Sequence, residues 1–391
     1  MRGRGQKSKA RKLPIAGSPT EHRELLERRW HQRLTDQPQW ADLVTGQALS
    51  GEPFHRWLPY KLAFAPKLVR AFLAEALNLE TGAGASPLLD PFAGVGTLAI
   101  ECARQGRAAL GIEALESLAF LARVRGVTAM EALPDLTGCD SWEQAAERLV
   151  EPIHRAALIY AVARQHTSAG RRDHSAAPLL DLLERVTELM RQDLEQPLAA
   201  PPRVEQGDAR RLEGIADASV GGILTSPPYL SRHDYTQATR PHEMVYRYWY
   251  VGRDLQQRRH DQVRAHPKAY RQTRTQPMPA AVVESCQALA DAGQIKLGGI
   301  VRSYFEDLFA ALDQCRRVLP DGAPCWLVMG GVRLKNVYVP SDLILADRAE
   351  ACGFEVLDVR VARQLTPSKR KLGRLLDVAP RESVLILRAG G

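Results

Sequence analysis

The chain has 391 residues, 45% of them hydrophobic and 25% charged, a globular composition long enough for one large domain or two. A formal net charge of +8 and an isoelectric point near 9.3 favour a polyanionic partner. The six cysteines are scattered, with no C-x-x-C pair and no metal-ligand spacing, so neither a disulfide framework nor a bound metal is expected, and they read as reduced thiols of a cytoplasmic protein.

The first twelve residues, in MRGRGQKSKARKLP, hold six basic side chains and no acid. No apolar segment follows, which excludes a secretory signal, and no stretch is long and apolar enough to span a membrane. Residues 1–50 therefore read as a basic arm, either solvated or touching phosphates, followed by a helix whose Trp30 and Trp40 pack onto the main body. The catalytic body is expected over 51–391. In FHRWLPYKLAFAPKLVRAFLAEAL, Leu68, Val69, Phe72, Leu73 and Leu77 recur at helical spacing, which starts a helix near Pro66. SPLLDPFAGVGTLAIECARQGRAALGIEAL then reads as strand, glycine loop, helix and strand, a βαβ unit that predicts a parallel sheet.

Residues 114–200 are rich in Ala, Leu, Arg and Glu and form a helical insert, interrupted by the loop TSAGRRDHSAAP. Strands return in RVEQGDARRL and VGGILTSPPY, and a polar, aromatic and basic insert fills 230–298. VRSYFEDLFAALDQCRRVLPDG is an amphipathic helix ending in a turn, APCWLVMGG a buried strand, SDLILADRAEACGF a helix, and FEVLDVRVARQL and ESVLILRA are strands. There is no internal repeat. The order describes one doubly wound, mostly parallel α/β sheet carrying helical insertions.

The glycine loop bears on a ligand. An apolar strand ends at Asp90, Gly94 and Gly96 open a helix, and Glu113 ends the next strand, where it can accept both hydroxyls of a ribose. GVGTLA also fits the dinucleotide pattern GxGxxA, so a nicotinamide dehydrogenase stands as a rival. The acid before the loop argues against it, because Asp90 would repel a pyrophosphate. A ligand with an amino group and a sulfonium but no phosphate would use that charge, and S-adenosylmethionine is such a ligand.

At this point the residues resemble a family. DPFAGVGT is similar to the cofactor-loop motif of the amino-methylating DNA methyltransferases, and TSPPY to their catalytic motif. LPYKLAFAPKLV is similar to the motif lining the methionine side of the cofactor, and GDA at 207–209 falls where the family contacts adenine. The resemblance implies a Rossmann-like, seven-stranded fold. It implies an S-adenosylmethionine site from Tyr60, Lys61, Phe64, Asp90, Pro91, Phe92, Gly94, Gly96, Thr97, Glu113, Asp208 and Ala209, and a catalytic loop of Ser226, Pro227, Pro228 and Tyr229. In the family, a leading Ser goes mostly with cytosine N4 and a leading Asp or Asn with adenine N6 or other amines. Ser226 therefore favours cytosine N4, with adenine N6 or an RNA base as the alternative and a silent nucleic-acid binder less favoured.

The chemistry of that loop follows from its residue types. An exocyclic amine is a poor nucleophile because its lone pair is delocalised into the ring. Ser226 Oγ and the Pro227 carbonyl can accept its two N–H bonds and draw the nitrogen toward pyramidal geometry. The prolines stiffen the loop, and Tyr229 offers a stacking face worth roughly 1–3 kcal/mol. A base in a duplex would have to be flipped out to reach it.

The partner implied is double-stranded DNA, with a cognate restriction endonuclease as a further expectation, on the nucleoid and away from membranes. The oligomeric state is left open. GRDLQQRRHDQVRAHPKAYRQTRTQP carries seven Arg or Lys against two Asp. Arg258, Arg259, Arg264, Lys268 and Arg271 are candidates there for DNA contact, joined by Lys369, Arg370 and Lys371 in TPSKRKLGR. The 114–200 insert is a rival recognition module or a cover over the sheet. His233 and Asp234 are too weak a pair to predict a metal. The chain departs from the family in keeping recognition inside an insert and in lacking the Asn-Pro that often follows the acid of GIEAL.

Overall fold

A computed structural model describes residues 21–58, 60, 62–76, 86–169, 178–230, 234–250, 254–271, 277–335, 337–365 and 380–390. The chain enters through α1 (Glu21–Trp30) and a short strand β1 (Leu34–Asp36), then α2 (Pro66–Ala76). The βαβ unit follows as β2 (Leu88–Asp90), α3 (Thr97–Arg104) and β3 (Ala109–Glu113). The first insert supplies α4 (Glu116–Arg123), α5 (Trp142–Arg148), α6 (Pro152–Ala169) and α7 (Leu179–Leu194). β4 (Arg203–Gln206) and β5 (Gly222–Thr225) lead into the second, which holds α8 (Tyr235–Ala238), α9 (Arg240–Trp249), α10 (Leu255–Asp261) and α11 (Ala280–Asp291). The rest is α12 (Ile295–Val318), β6 (Pro324–Gly330), a hairpin of β7 (Val332–Leu334) and β8 (Val337–Val339), α13 (Ser341–Ala351), β9 (Phe354–Gln364) and β10 (Arg381–Ala389).

Eight strands form the main sheet in the order β1-β9-β10-β6-β5-β2-β3-β4, one more than expected. The extra strand is β1, paired parallel to β9 with Leu34 opposite Val359. Three residues, LTD, carry too little alternation to be read as a strand. Only β10 runs antiparallel to its neighbours in this sheet. Residues 21–50 thus lie on the main body, with Leu34–Asp36 adding a strand to the sheet. Trp30 and Trp40 are buried, and Arg23 in α1 pairs with Glu284 of α11 at 2.7 Å. α11 itself was missed because its buried face, Ala281, Val282, Ser285, Ala288 and Leu289, is built largely of small residues.

The chain runs outward from β2 to β3 and β4, then returns to β5 on the other side of β2. The direction of travel across the sheet reverses between β2 and β5, and open α/β sheets hold ligands outside the carboxyl ends of strands at such a point. One sheet face packs on α12 and α13 through Phe305, Leu308, Leu312 and Leu343. The other packs on α2 and α3 through Phe72, Leu68 and Leu98 against Trp326 and Val384. The first insert covers the glycine-loop side, where Val95, Ile100, Leu118 and Leu121 join Leu158, Tyr160, Val186 and Met190 in one cluster that also takes in Val245 and Tyr246 of α9. Among the described residues, no helix is long and apolar enough to cross a membrane, and no group of three or more His, Cys, Asp or Glu is placed to hold a metal ion.

Candidate active site

At the reversal between β2 and β5 lies a cleft of about 1080 Å³, counting its open mouth. Its walls bring together Tyr60, Pro91, Phe92, Gly94, Glu113, Asp208 and Ala209 with Ser226, Pro228 and Tyr229. These residues come from two separate motifs of the sequence, the glycine loop and the Ser-Pro-Pro-Tyr loop. They meet because β2 and β5 are parallel neighbours, Leu88 opposite Gly222 and Leu89 opposite Ile223. Both loops therefore leave the sheet at the same edge.

The two glycines of the loop serve different ends. Gly94 has φ +53° and a Cβ placed on it would meet nothing within 4 Å, so this backbone faces the open cleft. Gly96 has φ +81°, and its Cβ would come within 2.9 Å of Ala122 Cβ. It is a packing glycine, off the cleft wall. Glu113 is held by two amides: Gly94 N–H donates to Oε2 and Leu115 N–H to Oε1, each at 2.8 Å. Burial pushes its carboxyl up to about 7, against these two hydrogen bonds. A carboxylate has about four acceptor sites, so Glu113 can still receive a ribose diol. Asp208 follows Gly207, whose N–H donates to the Glu113 carbonyl at 3.0 Å, and is clamped by Arg210, whose Nη2 reaches Oδ2 at 2.8 Å and whose Nη1 also reaches Asp307 at 3.3 Å.

Asp90 is placed differently from the expectation. It is 2% exposed and does not reach the cleft wall. Its Oδ1 accepts from Thr225 Oγ1 at 2.6 Å and from Phe92 N–H at 3.0 Å, and burial pushes its carboxyl up to about 7. Asp90 ties the ends of β2 and β5 together, so it braces the two loops instead of facing a ligand. Phe64 packs with Trp40, Val44 and Leu68 in the core, and Thr97 is buried at the start of α3, so neither lines the cleft. Lys61 lies outside the described residues.

The Ser-Pro-Pro-Tyr loop is fastened on both sides. Tyr304 of α12 donates its hydroxyl to the Pro228 carbonyl at 2.9 Å, and Tyr229 N–H donates to Tyr235 Oη at 3.2 Å. The Pro227 ring is buried behind the loop beside Phe92, Leu308 and Leu312. Tyr229 Oη donates to Glu382 Oε1 at 2.8 Å, and burial, then the Glu382 carboxylate, push the phenol well above its ordinary value. Sequence reasoning gave no role to Glu382 and Arg363, which line the cleft together with Tyr235. Tyr235 had a signal in its closeness to the loop. The other two are single charged residues on late strands and had none.

The DNA candidates divide. Arg258 is buried against Glu243, which also holds Ser117, and Arg264 is buried with Nε and Nη2 on Asp307 at 2.9 and 2.7 Å. Both are corrected from DNA-facing to structural, since a nine-tenths buried cation with an internal carboxylate cannot reach a phosphate. Lys268 is half exposed and pairs with Asp234 at 3.1 Å, Arg271 donates to the His260 carbonyl, and Arg259 is half-buried. Lys369, Arg370, Lys371 and His233 lie outside the described residues. The structure adds Arg240 and Arg247, exposed on one face of α9 with Met244 and Tyr248. Their i, i+4, i+7, i+8 spacing was the signal available in the sequence.

The cleft suits the donor expected for it. Gly94 leaves a side-chain-sized space on the cleft wall, Glu113 keeps acceptor capacity for a diol, and Val44, Leu62, Ile112, Leu115 and Val263 supply apolar wall. The wound sheet and this cleft fit a methyltransferase that takes its methyl group from S-adenosylmethionine. Residues 59–249 match the family model described as the RMKL-like methyltransferase domain. The chain is similar to the type II methyltransferases M.AvaI of Nostoc sp. and of Anabaena variabilis, each 24% identical over 82% of this chain and 83% of the relative. Solved structures with similarity include an rRNA methyltransferase, AviRa, from Streptomyces viridochromogenes (14% identity, 89% of this chain and 92% of that one, TM-score 0.30). A second is an S-adenosylmethionine-dependent methyltransferase from Methanosarcina mazei (11%, 79% and 94%, TM-score 0.32).

Proposed function

We propose that this methyltransferase modifies double-stranded DNA at the exocyclic N4 of a cytosine flipped out of the helix within a specific sequence. The observation that carries the reading is the shared cleft, which Ser226, Pro228 and Tyr229 line together with Gly94, Glu113 and Asp208. S-adenosylmethionine, when bound, supplies a methyl group already activated by a sulfonium, so the residues have to position and desolvate rather than activate. Glu113 would hold the ribose, Gly94 gives the backbone its close approach, and Asp208 with Ala209 borders the adenine. Ser226 Oγ and the Pro227 carbonyl would accept the two N–H bonds of the amine, and Tyr229 would flank the base. The hydrogen bonds from Tyr304 and to Tyr235 keep this loop from relaxing.

Duplex DNA as the substrate is supported by the motif resemblance, the net charge of +8 and the exposed arginines of α9. The same reading places the protein on nucleoid DNA in the cytoplasm. Its likeness to a type II methyltransferase supports a cognate restriction endonuclease as partner.

The test is mass spectrometry of nucleosides from DNA incubated with the protein and S-adenosylmethionine. N4-methylcytosine is the expected product. N6-methyladenine would overturn the base assignment, and methylation of RNA alone would overturn the substrate class. Ser226→Ala is expected to abolish the product while leaving S-adenosylhomocysteine affinity within about twofold. A Ser226→Ala protein with wild-type turnover would sink the role given to Ser226.

A further inference from the structure

A segment of the second insert finishes the cleft on the Asp208 side. Gly207 N–H on the Glu113 carbonyl sets Asp208 beside the acid proposed for the ribose. Both oxygens of Asp208 are taken by Arg210. Oδ1 accepts from its backbone N–H at 2.9 Å and from Nε at 2.8 Å, and Oδ2 accepts from Nη2 at 2.8 Å. The same Nη2 donates to the Asp261 carbonyl at 3.1 Å, so one guanidinium nitrogen holds the peptide that leads into Gln262 next to Asp208. Two residues further on, Arg264 is fixed to Asp307 through its backbone N–H at 2.9 Å and its Nη2 at 2.7 Å. The short run between these anchors, Gln262 and Val263, lines the cleft.

Gln262 differs from the rest of that wall. Its side-chain nitrogen is buried and has no hydrogen-bond partner among the described residues. A buried donor without an acceptor costs its desolvation, so a ligand that brings an acceptor to this wall supplies what the free protein lacks. The last torsion of a glutamine is broad and roughly two-fold, so the amide can turn either polar atom to the cleft. A primary amide carries an acceptor and two donors on one plane. The edge of adenine is its complement, since the 6-amino group donates and the ring nitrogen on either side of it accepts. Glutamine is one of the two side chains that pair with adenine through two such bonds. Asp208 has no donor for the ring nitrogen, and its oxygens are engaged by Arg210.

We infer that Gln262 reads the adenine of the cofactor, accepting from its 6-amino group through Oε1 and donating to the adjacent ring nitrogen through Nε2. The inference rests on the S-adenosylmethionine-dependent function proposed above and deepens its cofactor site. It makes the second insert part of that site, and it sets Gln262 apart from the Arg and Lys of the same run, which the sequence offers to DNA.

Calorimetry on the full chain tests it with two ligands, S-adenosylhomocysteine and its analogue in which hydrogen replaces the 6-amino group. The wild type is expected to bind the first at least about tenfold more tightly. Gln262→Leu keeps most of the bulk and removes both polar atoms. It should bind S-adenosylhomocysteine about tenfold or more weakly, and the two ligands within about threefold of each other, because the group that distinguishes them is gone. Gln262→Glu keeps an acceptor but, ionised, has no donor. Its affinity for S-adenosylhomocysteine should fall while a preference for the 6-amino ligand persists. The free Gln262→Leu protein should melt at or above the wild-type temperature, since it loses an unpartnered polar group. A lowered melting temperature with both ligands weakened alike is the sign of packing alone and overturns the inference. Wild-type affinity for S-adenosylhomocysteine in Gln262→Leu overturns it too. If the wild-type chain binds no S-adenosylhomocysteine, the proposed function falls and this inference falls with it. A wild type that binds both ligands equally well removes only the inference.

Discussion

A Cβ on Gly94 would meet no atom within 4 Å, whereas one on Gly96 would press on Ala122 Cβ at 2.9 Å. Both residues have positive φ, so alanine at either carries a backbone cost of about 1–2 kcal/mol. Gly94→Ala is expected to show that cost alone in denaturant unfolding, yet to bind S-adenosylhomocysteine at least about tenfold more weakly, because its methyl enters the cleft. Gly96→Ala should add overpacking of about 1–3 kcal/mol and lose stability first. Equal effects of the two on binding and stability would contradict these separate roles. Asp90 makes a prediction of a different kind. Its carboxyl is raised from 3.8 to about 7 by burial, so the folded state prefers it neutral. That contribution to stability is fully present below about pH 4 and is lost as pH rises through about 7. Asp90→Asn keeps an acceptor for Thr225 and for the Phe92 N–H while removing the charge. It should be more stable than the parent at pH 8, by ~4 kcal/mol at most, and converge with it near pH 4. A difference independent of pH would show that burial of the charge is not what Asp90 costs.

At the scale of elements, α9 and α10 separate cations that look alike in sequence. Arg258 and Arg264 read as parts of a solvated basic run because their partners, Glu243 and Asp307, lie 15 and 43 residues away. Removing either guanidinium would take the main partner from a buried carboxylate, leaving Ser117 on Glu243 and the longer Arg210 contact on Asp307, and Arg264→Ala is expected to cost about 3 kcal/mol of stability. Arg240 and Arg247 are exposed and make no ion pair among the described residues, so Arg240→Glu/Arg247→Glu should leave stability nearly unchanged. It should weaken DNA binding and lower the slope of log affinity against log salt by about 2. An unchanged slope would remove α9 from the DNA interface. The contrast shows what was legible. The glycine loop and the Ser-Pro-Pro-Tyr loop were readable because each is local and each ends a strand, so the sheet had only to place β2 beside β5. Glu382 and Arg363 were not, because a charged residue in a strand reads as solvent-facing until the fold shows what covers it. β1 escaped for a related reason, since three residues become a strand only when β9 offers an edge.

Across the whole molecule, positive charge is distributed unevenly between the body and the first residues of the sequence. Within the body, arginines are consumed in pairs: Arg381 with Asp342 and Glu27, Arg23 with Glu284, Arg264 with Asp307. The first two sets fasten α1, α11 and α13 to one another and to β10, the third holds the segment after α10 on α12, and they leave little net charge to attract a polyanion. The first twelve residues, by contrast, carry Arg2, Arg4, Lys7, Lys9, Arg11 and Lys12 with no acid, six charges against a net of +8 for the chain. Electrostatic attraction of duplex DNA should therefore depend heavily on this segment, while the methyl-transfer cleft should not, because the described residues that line it run from Val44 to Glu382. A chain beginning at Thr20 is expected to bind S-adenosylhomocysteine as the full chain does. It should bind DNA more weakly at ~50 mM salt and show a log–log salt slope shallower by up to about 5, at roughly 0.9 for each phosphate no longer neutralised. At saturating DNA its kcat should match the full chain, since the segment would raise encounter and affinity without touching the base. A truncated chain with the same salt slope would show that the six charges stay solvated in the complex, and would leave α9 to hold the phosphates.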